Sequence, residues 1–206
     1  MELMFKALTS RIMENTLAYR LWMAPFADKK MAPILAHNDL RTVRRVLDVG
    51  CGPGTNTAHF LHAEYLGLDI NPAYIESARR RFNRDFIVAD VTKYTVDPAE
   101  RFDFILLNSL LHHLDETSTR RVLSHLAKLL TNDGHVHIIE LVIPRDAPIP
   151  RRLAEWDRGD YVRPIGDWRA TFCDYFDPVV DEPFAVGMAG MDLWHFVYFK
   201  GRLRGS

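Results

Sequence analysis

The sequence predicts an α/β fold, an open and largely parallel sheet with helices on its faces. Three observations predict it. Val46–Val49 reads as a strand that runs into Gly50-Cys51-Gly52-Pro53-Gly54, a glycine-rich turn passing into a helix. Short strand-forming runs then alternate with helical patterns through Leu141, the alternation that parallel crossover units require. The chain closes on two strands, near 178–184 and at 193–199, joined through Gly187–Gly190 with no helix between them.

Length and composition narrow the classes. A chain of 206 residues suggests one domain, and 48% hydrophobic residues suffice for a core. The 26 basic and 27 acidic residues leave a formal charge of −1, which gives no general handle for nucleic acid or an acidic membrane face. Two cysteines, Cys51 and Cys173, do not make a disulfide scaffold. No apolar run approaches a bilayer span, and Glu2, Lys6, Arg11 and Glu14 interrupt any secretory pattern. The expectation is a soluble, cytoplasmic protein without membrane insertion. The sequence carries no signal of oligomeric state.

Residues 2–24 pattern as one amphipathic helix or two short ones, with Leu8, Ile12, Leu17 and Leu21 at helical spacings and Pro25 as a stop. A further helix covers 31–41. Residues 1–43 thus form a helical segment ahead of the first strand. Tyr19, Trp22, Phe26 and Lys29 would make it a lid over a ligand; the alternative is plain packing on the sheet edge. The first strand is 45–49, and the helix after it is expected from about Thr55 to about Ala63. The glycines let backbone approach a ligand closely, and a helix there would aim free N–H groups at it.

The second strand, 65–69, ends in Asp69, 19 residues after Gly50. A carboxylate there can accept both hydroxyl hydrogens of a ribose. The same spacing fits NAD-binding chains, so it points to adenosine before it points to a particular nucleotide. Asn71 is a candidate N-cap and Pro72 a candidate first residue of the next helix. The third strand, 86–89, ends at Asp90, a position suited to an adenine amino group.

The fourth strand, 103–107, leads into Asn108-Ser-Leu-Leu-His-His-Leu-Asp115. Open α/β sheets place ligand chemistry at such strand ends. His112 or His113 is a candidate general base, since imidazole titrates near neutrality. Adjacent residues face differently, so at most one should reach an acceptor, and a structural role is the alternative for each. A helix from about Glu116 to Leu130 buries Val122, Leu123, Leu126, Leu129 and Leu130. Asn132-Asp133-Gly134 signals a turn, and Val136–Leu141 a fifth strand. His135 and His137 lie in that strand without a third ligand at convincing spacing, so no metal is expected.

Residues 144–177, with helices expected at about 148–158 and 165–176, mix Arg145, Arg151, Arg152, Arg158, Arg163 and Arg169 with Trp156, Tyr161, Trp168 and interspersed acids. Arg163 or Arg169 could hold an anionic group through paired hydrogen bonds; the alternative is an ion-paired surface.

The segment Val46–Thr57 with Asp69 resembles motif I of the class I S-adenosylmethionine (SAM)-dependent methyltransferases. Leu110-Leu-His-His-Leu-Asp115 is similar to the motif IV region of small-molecule enzymes of the ubiquinone/menaquinone-biosynthesis type. The resemblance covers about 44–141, and more loosely reaches 200. It implies a single-domain Rossmann-like fold over 44–200: a seven-stranded sheet in order 3-2-1-4-5-7-6, strand 7 antiparallel, with flanking helices and an acceptor-side insertion at 144–177.

It also implies SAM as cofactor and S-adenosylhomocysteine as product. Gly50, Gly52 and Gly54, with Cys51 between, would shape the methionyl and ribose side. Asp48 would orient the loop or the cofactor amine through water. Asp69 would hold ribose with Ile70 beside it, Asp90 adenine, and Val91 would pack on the ring. Asn108 would lie below the sulfonium, and Tyr19 would reach the cofactor from the lid. The acceptor side would comprise Trp22, Trp156, Tyr161, Arg163 and Arg169, with His112 and His113 as catalytic candidates.

The Asn/Asp-Pro-Pro-Tyr motif of many amino-methylating nucleic-acid and protein enzymes is replaced by Asn108-Ser-Leu-Leu, which disfavours a nucleic-acid partner. The implied reaction is methyl transfer to a small molecule. O-methylation is favoured, with N- or C-methylation as alternatives. A catalytically silent SAM-binding or protein-interaction module is the competing class. The Gly52-Pro53-Gly54 turn and the closing strand pair disfavour an NAD-dependent oxidoreductase.

Overall fold

The computed structural model describes residues 28–94, 100–156, 159–188 and 190–205. Tyr19, Trp22, Phe26 and Arg158 lie outside the described residues, as does the Trp156 side chain. Seven strands form one sheet: β1 Arg45–Val49, β2 Glu64–Asp69, β3 Asp85–Val88, β4 Phe102–Asn108, β5 Leu130–Val142, β6 Phe176–Met188 and β7 Met191–Leu203. Their order is β3-β2-β1-β4-β5-β7-β6. The pairs from β3 to β5 are parallel, and β7 runs antiparallel to both β5 and β6. Order and direction are those expected.

Helices cover both faces. Residues 28–37 are helical and are called α1. The others are α2 Pro72–Arg81, α3 Glu116–Leu129, α4 Pro148–Trp156 and α5 Ile165–Cys173. On one face Met31 and Ile34 of α1, Ile75 and Ala78 of α2 and Ala154 of α4 pack with Val46, Phe104, Leu106, Ile139, Phe196 and Tyr198. On the other, α3 and α5 bury Val122, Leu123, Leu126, Trp168 and Phe172 against Leu47, Val49, Ile105, Val136 and Phe199. Strand alternation sends successive side chains to opposite faces, so every strand except β3, which gives only Phe86 to the first core, supplies both.

Local chemistry sets the element boundaries. Asn71 Oδ1 accepts from Ala73 N at 2.9 Å and starts α2 at Pro72. Asp115 Oδ1 accepts from Ser118 N at 2.7 Å and starts α3. Each cap satisfies an otherwise orphan donor, an effect of about 1 kcal/mol. α1 is tied to the closing strands by Lys29 Nζ, which donates to Gly187 O at 2.8 Å, and by Asn38 Nδ2, which donates to Tyr198 OH at 3.0 Å.

Two expectations are corrected. The helix expected from Thr55 to Ala63 is a single 3-10 turn, Thr57–Phe60, with no side-chain cap from Asn56. Thr55, Asn56 and Thr57 are poor helix formers, and β2 already begins at Glu64. The free N–H array of a full helix is therefore not what faces the loop. The turn at Asn132-Asp133-Gly134 is an excursion inside β5. Between the pairs Phe102–Leu130 and Phe104–His135 one strand advances two residues and the other five, so residues 131–134 bulge out of register. No described helix is long and apolar enough to cross a membrane.

Candidate functional site

The carboxyl ends of β1, β2, β3 and β4 line one edge of the sheet, since Val49 pairs with Leu68 and Leu107, and Asp69 with Val88. The glycine loop crosses that edge. Gly50 N and Cys51 N donate to Leu68 O at 2.8 and 2.9 Å, which ties the loop to β2. Gly50 has φ 75, and a Cβ there would stand 3.1 Å from Leu110 Cδ1. Gly52 has φ 55, and among the described residues, its chain neighbours aside, no atom lies within 4 Å of where its Cβ would be. At the first glycine the positive φ disfavours a side chain, and Leu110 would have to give way to one. The second leaves backbone facing open space, a cradle that a ligand can enter. The Cys51 thiol points inward: it is buried, and burial pushes its pKa up.

Asp69 braces the loop. Its Oδ2 accepts from Gly52 N at 2.9 Å and its Oδ1 from Asn71 N at 2.8 Å. Burial raises its pKa despite those bonds. A carboxylate has about four acceptor sites, so two bonds leave capacity for a pair of hydroxyls. Ile70, beside it, is 69% exposed, an apolar surface at the loop's rim. Asp90 closes a turn by accepting from Thr92 N at 2.9 Å and Thr92 Oγ1 at 2.7 Å, and pairs with Lys93 at 3.1 Å. These bonds hold its pKa below the usual range. Val91 is half-buried in the same turn.

Asp48 lies beneath the loop, fully buried. Its Oδ2 accepts from Tyr65 OH at 2.6 Å, and Thr57 Oγ1 donates to that phenol oxygen at 3.0 Å. Its Oδ1 takes no well-formed hydrogen bond, although the Asn56 side chain lies beside the carboxylate and favours its charge. Burial wins, and the pKa is pushed up to about 7. Asn56 in turn accepts from Asn108 Nδ2 at 3.3 Å, linking the loop to the end of β4. The open backbone at Gly52 and the spare acceptors of Asp69 together suit a nucleoside.

The raised Asp48 value has a measurable consequence. The folded state keeps a proton between pH ~4, where an unfolded Asp titrates, and about 7. Stability must therefore fall as pH rises through that window. Asp48→Asn removes the ionisation. The stability of Asp48→Asn relative to wild type should thus increase between pH 4 and pH 8, by on the order of 2–4 kcal/mol at 1.36 kcal/mol per unit. Urea titrations of both proteins at the two pH values check this, and a pH-independent difference would contradict it.

Past β4 the chain turns sharply. Ser109 has φ 59 and is the only non-glycine with positive φ among the described residues. A 3-10 turn, Leu111–His113, follows. The two histidines differ in burial, although their ring centroids lie 4.2 Å apart. His113 is exposed. His112 is buried, and its Nδ1 is hydrogen-bonded to Glu140 of β5. Glu140 is wholly buried and also accepts from Leu111 N at 2.7 Å and Leu141 N at 2.9 Å. Burial acts to raise its pKa, but the His112 imidazole and the two backbone donors outweigh that and hold the carboxyl below its usual value. An acceptor-only carboxylate fixes the proton of the imidazole on Nδ1 and directs Nε2 away from the pair.

The insertion roofs this turn. Tyr161 N donates to His112 O at 3.0 Å, and a Cβ on Gly159 would lie 2.0 Å from His112 Cδ2. The Tyr161 side chain is exposed. Arg163 pairs with Glu116 and stacks over Trp168 at 4.6 Å. Arg169 pairs with Asp181 at 2.7 Å. Both arginines thus take the ion-paired arrangement. Glu140, Asn56, Ser109 and a buried Lys30 are the residues of this arrangement that the sequence reading missed. Only Glu140 left a trace, as a lone acid within the apolar run 136–142. Such acids are rarely buried unless paired. Among the described residues no group of three His, Cys, Asp or Glu is placed to hold a metal ion.

Comparison with known proteins bears on this arrangement. Residues 46–134 match the model of a family described as a methyltransferase domain. A trans-aconitate 2-methyltransferase of Methylobacterium radiotolerans is 38% identical over 117 residues, covering 53% of this chain and 44% of the relative. The chain thus spans less than half the length of that relative. A trans-aconitate 2-methyltransferase of Paracidovorax citrulli is 30% identical over 190 residues, covering 84% of this chain and 69% of the relative. This chain belongs to the class I SAM-dependent methyltransferases. Among solved structures, N-methyltransferase NodS from Bradyrhizobium japonicum in complex with S-adenosylhomocysteine superposes with a TM-score of 0.67 at 18% identity, covering 88% of this chain and 87% of that one. The mitomycin 7-O-methyltransferase MmcR gives 0.70 at 18% identity, over 93% and 59%. At such identities these two show the shared methyltransferase fold and leave the acceptor open.

Proposed function

We propose that the chain transfers a methyl group from SAM to a small-molecule acceptor, with oxygen as the favoured methyl-accepting atom. The observation that carries this is the glycine loop braced by Asp69 at the carboxyl edge of the sheet, in a chain of this family. Bound SAM supplies the activated methyl group, so the protein's share is alignment and exclusion of water. Asp48, Gly50, Cys51, Gly52 and Gly54 would hold the methionyl side, Asp69 and Ile70 the ribose, Asp90 and Val91 the adenine, and Asn108 the region beneath the sulfonium. Tyr19 completes that set in the proposal.

On the acceptor side the proposal keeps Trp22, Trp156, Tyr161, Arg163 and Arg169. The two arginines reach an anion only by exchanging Glu116 and Asp181 for it. Where the acceptor carries a proton, His112, oriented by Glu140, is the first candidate to take it, and exposed His113 the second. Relatives named trans-aconitate 2-methyltransferases support a small acceptor. The similarity of 110–115 to ubiquinone/menaquinone-type enzymes favours, as a second reading, an aromatic hydroxyl or ring carbon. N-methylation and a silent SAM-binding module complete the alternatives, and a cytoplasmic location is part of the proposal.

The test is transfer of labelled methyl from SAM to pooled metabolites, RNA and protein. Transfer to the metabolite pool alone is expected. Transfer to RNA or protein, with none to metabolites, would overturn the small-molecule reading. The pH–rate profile of His112→Gln then decides the base. If His112 takes the proton, its substitution removes the acidic limb, since protonated imidazole cannot act as a base.

A further inference from the structure

The two halves of the glycine loop are held from different places. In the first half, Gly50 N and Cys51 N donate to Leu68 O, and Gly52 N donates to Asp69, so this half is tied to the end of β2. In the second half, Gly54 N turns back on Cys51 O at 3.1 Å. The chain beyond it makes the short 3-10 turn Thr57–Phe60 rather than a long helix that could anchor it. The second half is instead met by the far end of α2. Arg81, the last residue of that helix, donates from Nη1 to Pro53 O at 2.6 Å. Phe82, its C-cap, sets one edge of its ring against Gly54, where a Cβ would stand 3.1 Å from Phe82 Cδ2 and Cε2. The Arg81 guanidinium in turn lies over the Phe82 ring, 4.8 Å from its centroid.

The plain role for a basic residue here is to complement the negative end of the helix dipole. Its neighbours do no more than that and some local bonding. Arg80 pairs with Glu76 within α2, Arg79 donates to Phe86 O, and Arg84 donates to Leu61 O and Asn83 O. Arg81 differs in its target, which is the loop itself. A charged donor also makes a stronger bond to a carbonyl than a neutral one does. The loop needs such help, because Gly52 and Gly54, at φ 55 and 77, lose much conformational freedom when they are fixed.

We infer that Arg81 and Phe82 are positioning residues of the cofactor site, holding Pro53 and Gly54 in the conformation that bound SAM meets. The inference rests on the proposed placement of the methionyl side of SAM at this loop, and adds to it two residues that touch the loop and not the ligand. A loop ordered in advance spares the ligand the entropy of ordering it. α2 thereby serves the site at both ends: Asn71 N at its start and Gly52 N share Asp69, and Arg81 at its finish holds Pro53.

The test is titration calorimetry of the full chain with S-adenosylhomocysteine, joined to amide hydrogen exchange of the unliganded protein. Arg81→Met keeps the aliphatic stem and removes the donor. It should weaken binding about fivefold, the scale of one net hydrogen bond, with the loss in entropy and the urea midpoint unchanged. Exchange at the Gly54 and Thr55 amides should quicken several-fold, with β5 amides as in wild type. Arg81→Lys should recover much of the lost affinity, and Phe82→Leu should weaken binding in the same direction. Should Phe82→Leu fail to fold, the Arg81 variants decide alone. Arg84→Met removes a guanidinium bonded to backbone away from the loop, and should bind as wild type does. A loss there equal to that of Arg81→Met would overturn the inference, as would unchanged affinity and exchange in Arg81→Met. If Asp69→Ala weakens the ligand and Arg81→Met does not, the cofactor-site reading stands and this inference falls. If neither weakens it, both fall.

Discussion

Replacing His112 by Ala should lower the unfolding free energy by about 3–5 kcal/mol, the usual cost of leaving one partner of a buried pair behind. The stranded partner is Glu140, wholly buried and kept charged by His112 and two backbone N–H groups. Those two donors remain, so the loss should fall toward the lower end. Glu140→Gln should cost less, because the amide oxygen can still accept one of the bonds. In the double variant the two losses should not add, and a coupling of about 1–3 kcal/mol is expected for groups in direct contact. The pH dependence has a definite sign. A carboxyl whose folded pKa is lowered stabilises above its unfolded value, about 4.3 for Glu, and loses that contribution as pH falls through the folded value. The advantage of wild type over Glu140→Gln should therefore be full at pH 7 and shrink below pH ~4. Urea midpoints of the four proteins supply the numbers. Additive losses would mean that the contact contributes nothing of its own.

Asp69→Ala should weaken SAM and S-adenosylhomocysteine by about 10- to 100-fold. Bonds to a charged acceptor contribute roughly 1.5–3 kcal/mol, and each 1.4 kcal/mol is tenfold in affinity. The geometry adds a second loss, since the same carboxylate holds Gly52 N and Asn71 N. The variant should therefore also bind with a larger entropic penalty, because the loop must be ordered by the ligand. Asp69→Asn retains one acceptor oxygen and should fall between the two. Calorimetry on folded variants checks the ranking. An unchanged dissociation constant in folded Asp69→Ala would place the ribose elsewhere.

The parts of this molecule that were legible in the sequence are those with local causes. The strand–loop junction at Val46–Gly54 was readable because positive φ demands glycine, and the α2 start because Asn71 and Pro72 cap it in place. The closing strands follow from dense β-branched and aromatic runs. What was not legible depends on groups far apart in the chain. Lys30 meets Ser109 across 79 positions, and His112 meets Glu140 across 28. Nothing in local pattern reports such pairs; they exist because the sheet order sets β5 beside β4 and because α1 packs over the closing strands. The helix expected after Gly54 is cut to a single 3-10 turn by a run of poor helix formers with little chain before β2. Arg163 and Arg169 showed residue type and left partner choice to the fold, which gave them Glu116 and Asp181.

The loop, Asp69 and the buried Asp48 beneath them make up the proposed SAM site of this chain. Its most direct test is titration calorimetry of the full chain with SAM, S-adenosylhomocysteine and NAD in parallel. Saturable one-to-one binding of the first two, with no heat from NAD, is the expected result. Tight NAD binding with silence toward both SAM and its demethylated product would contradict it.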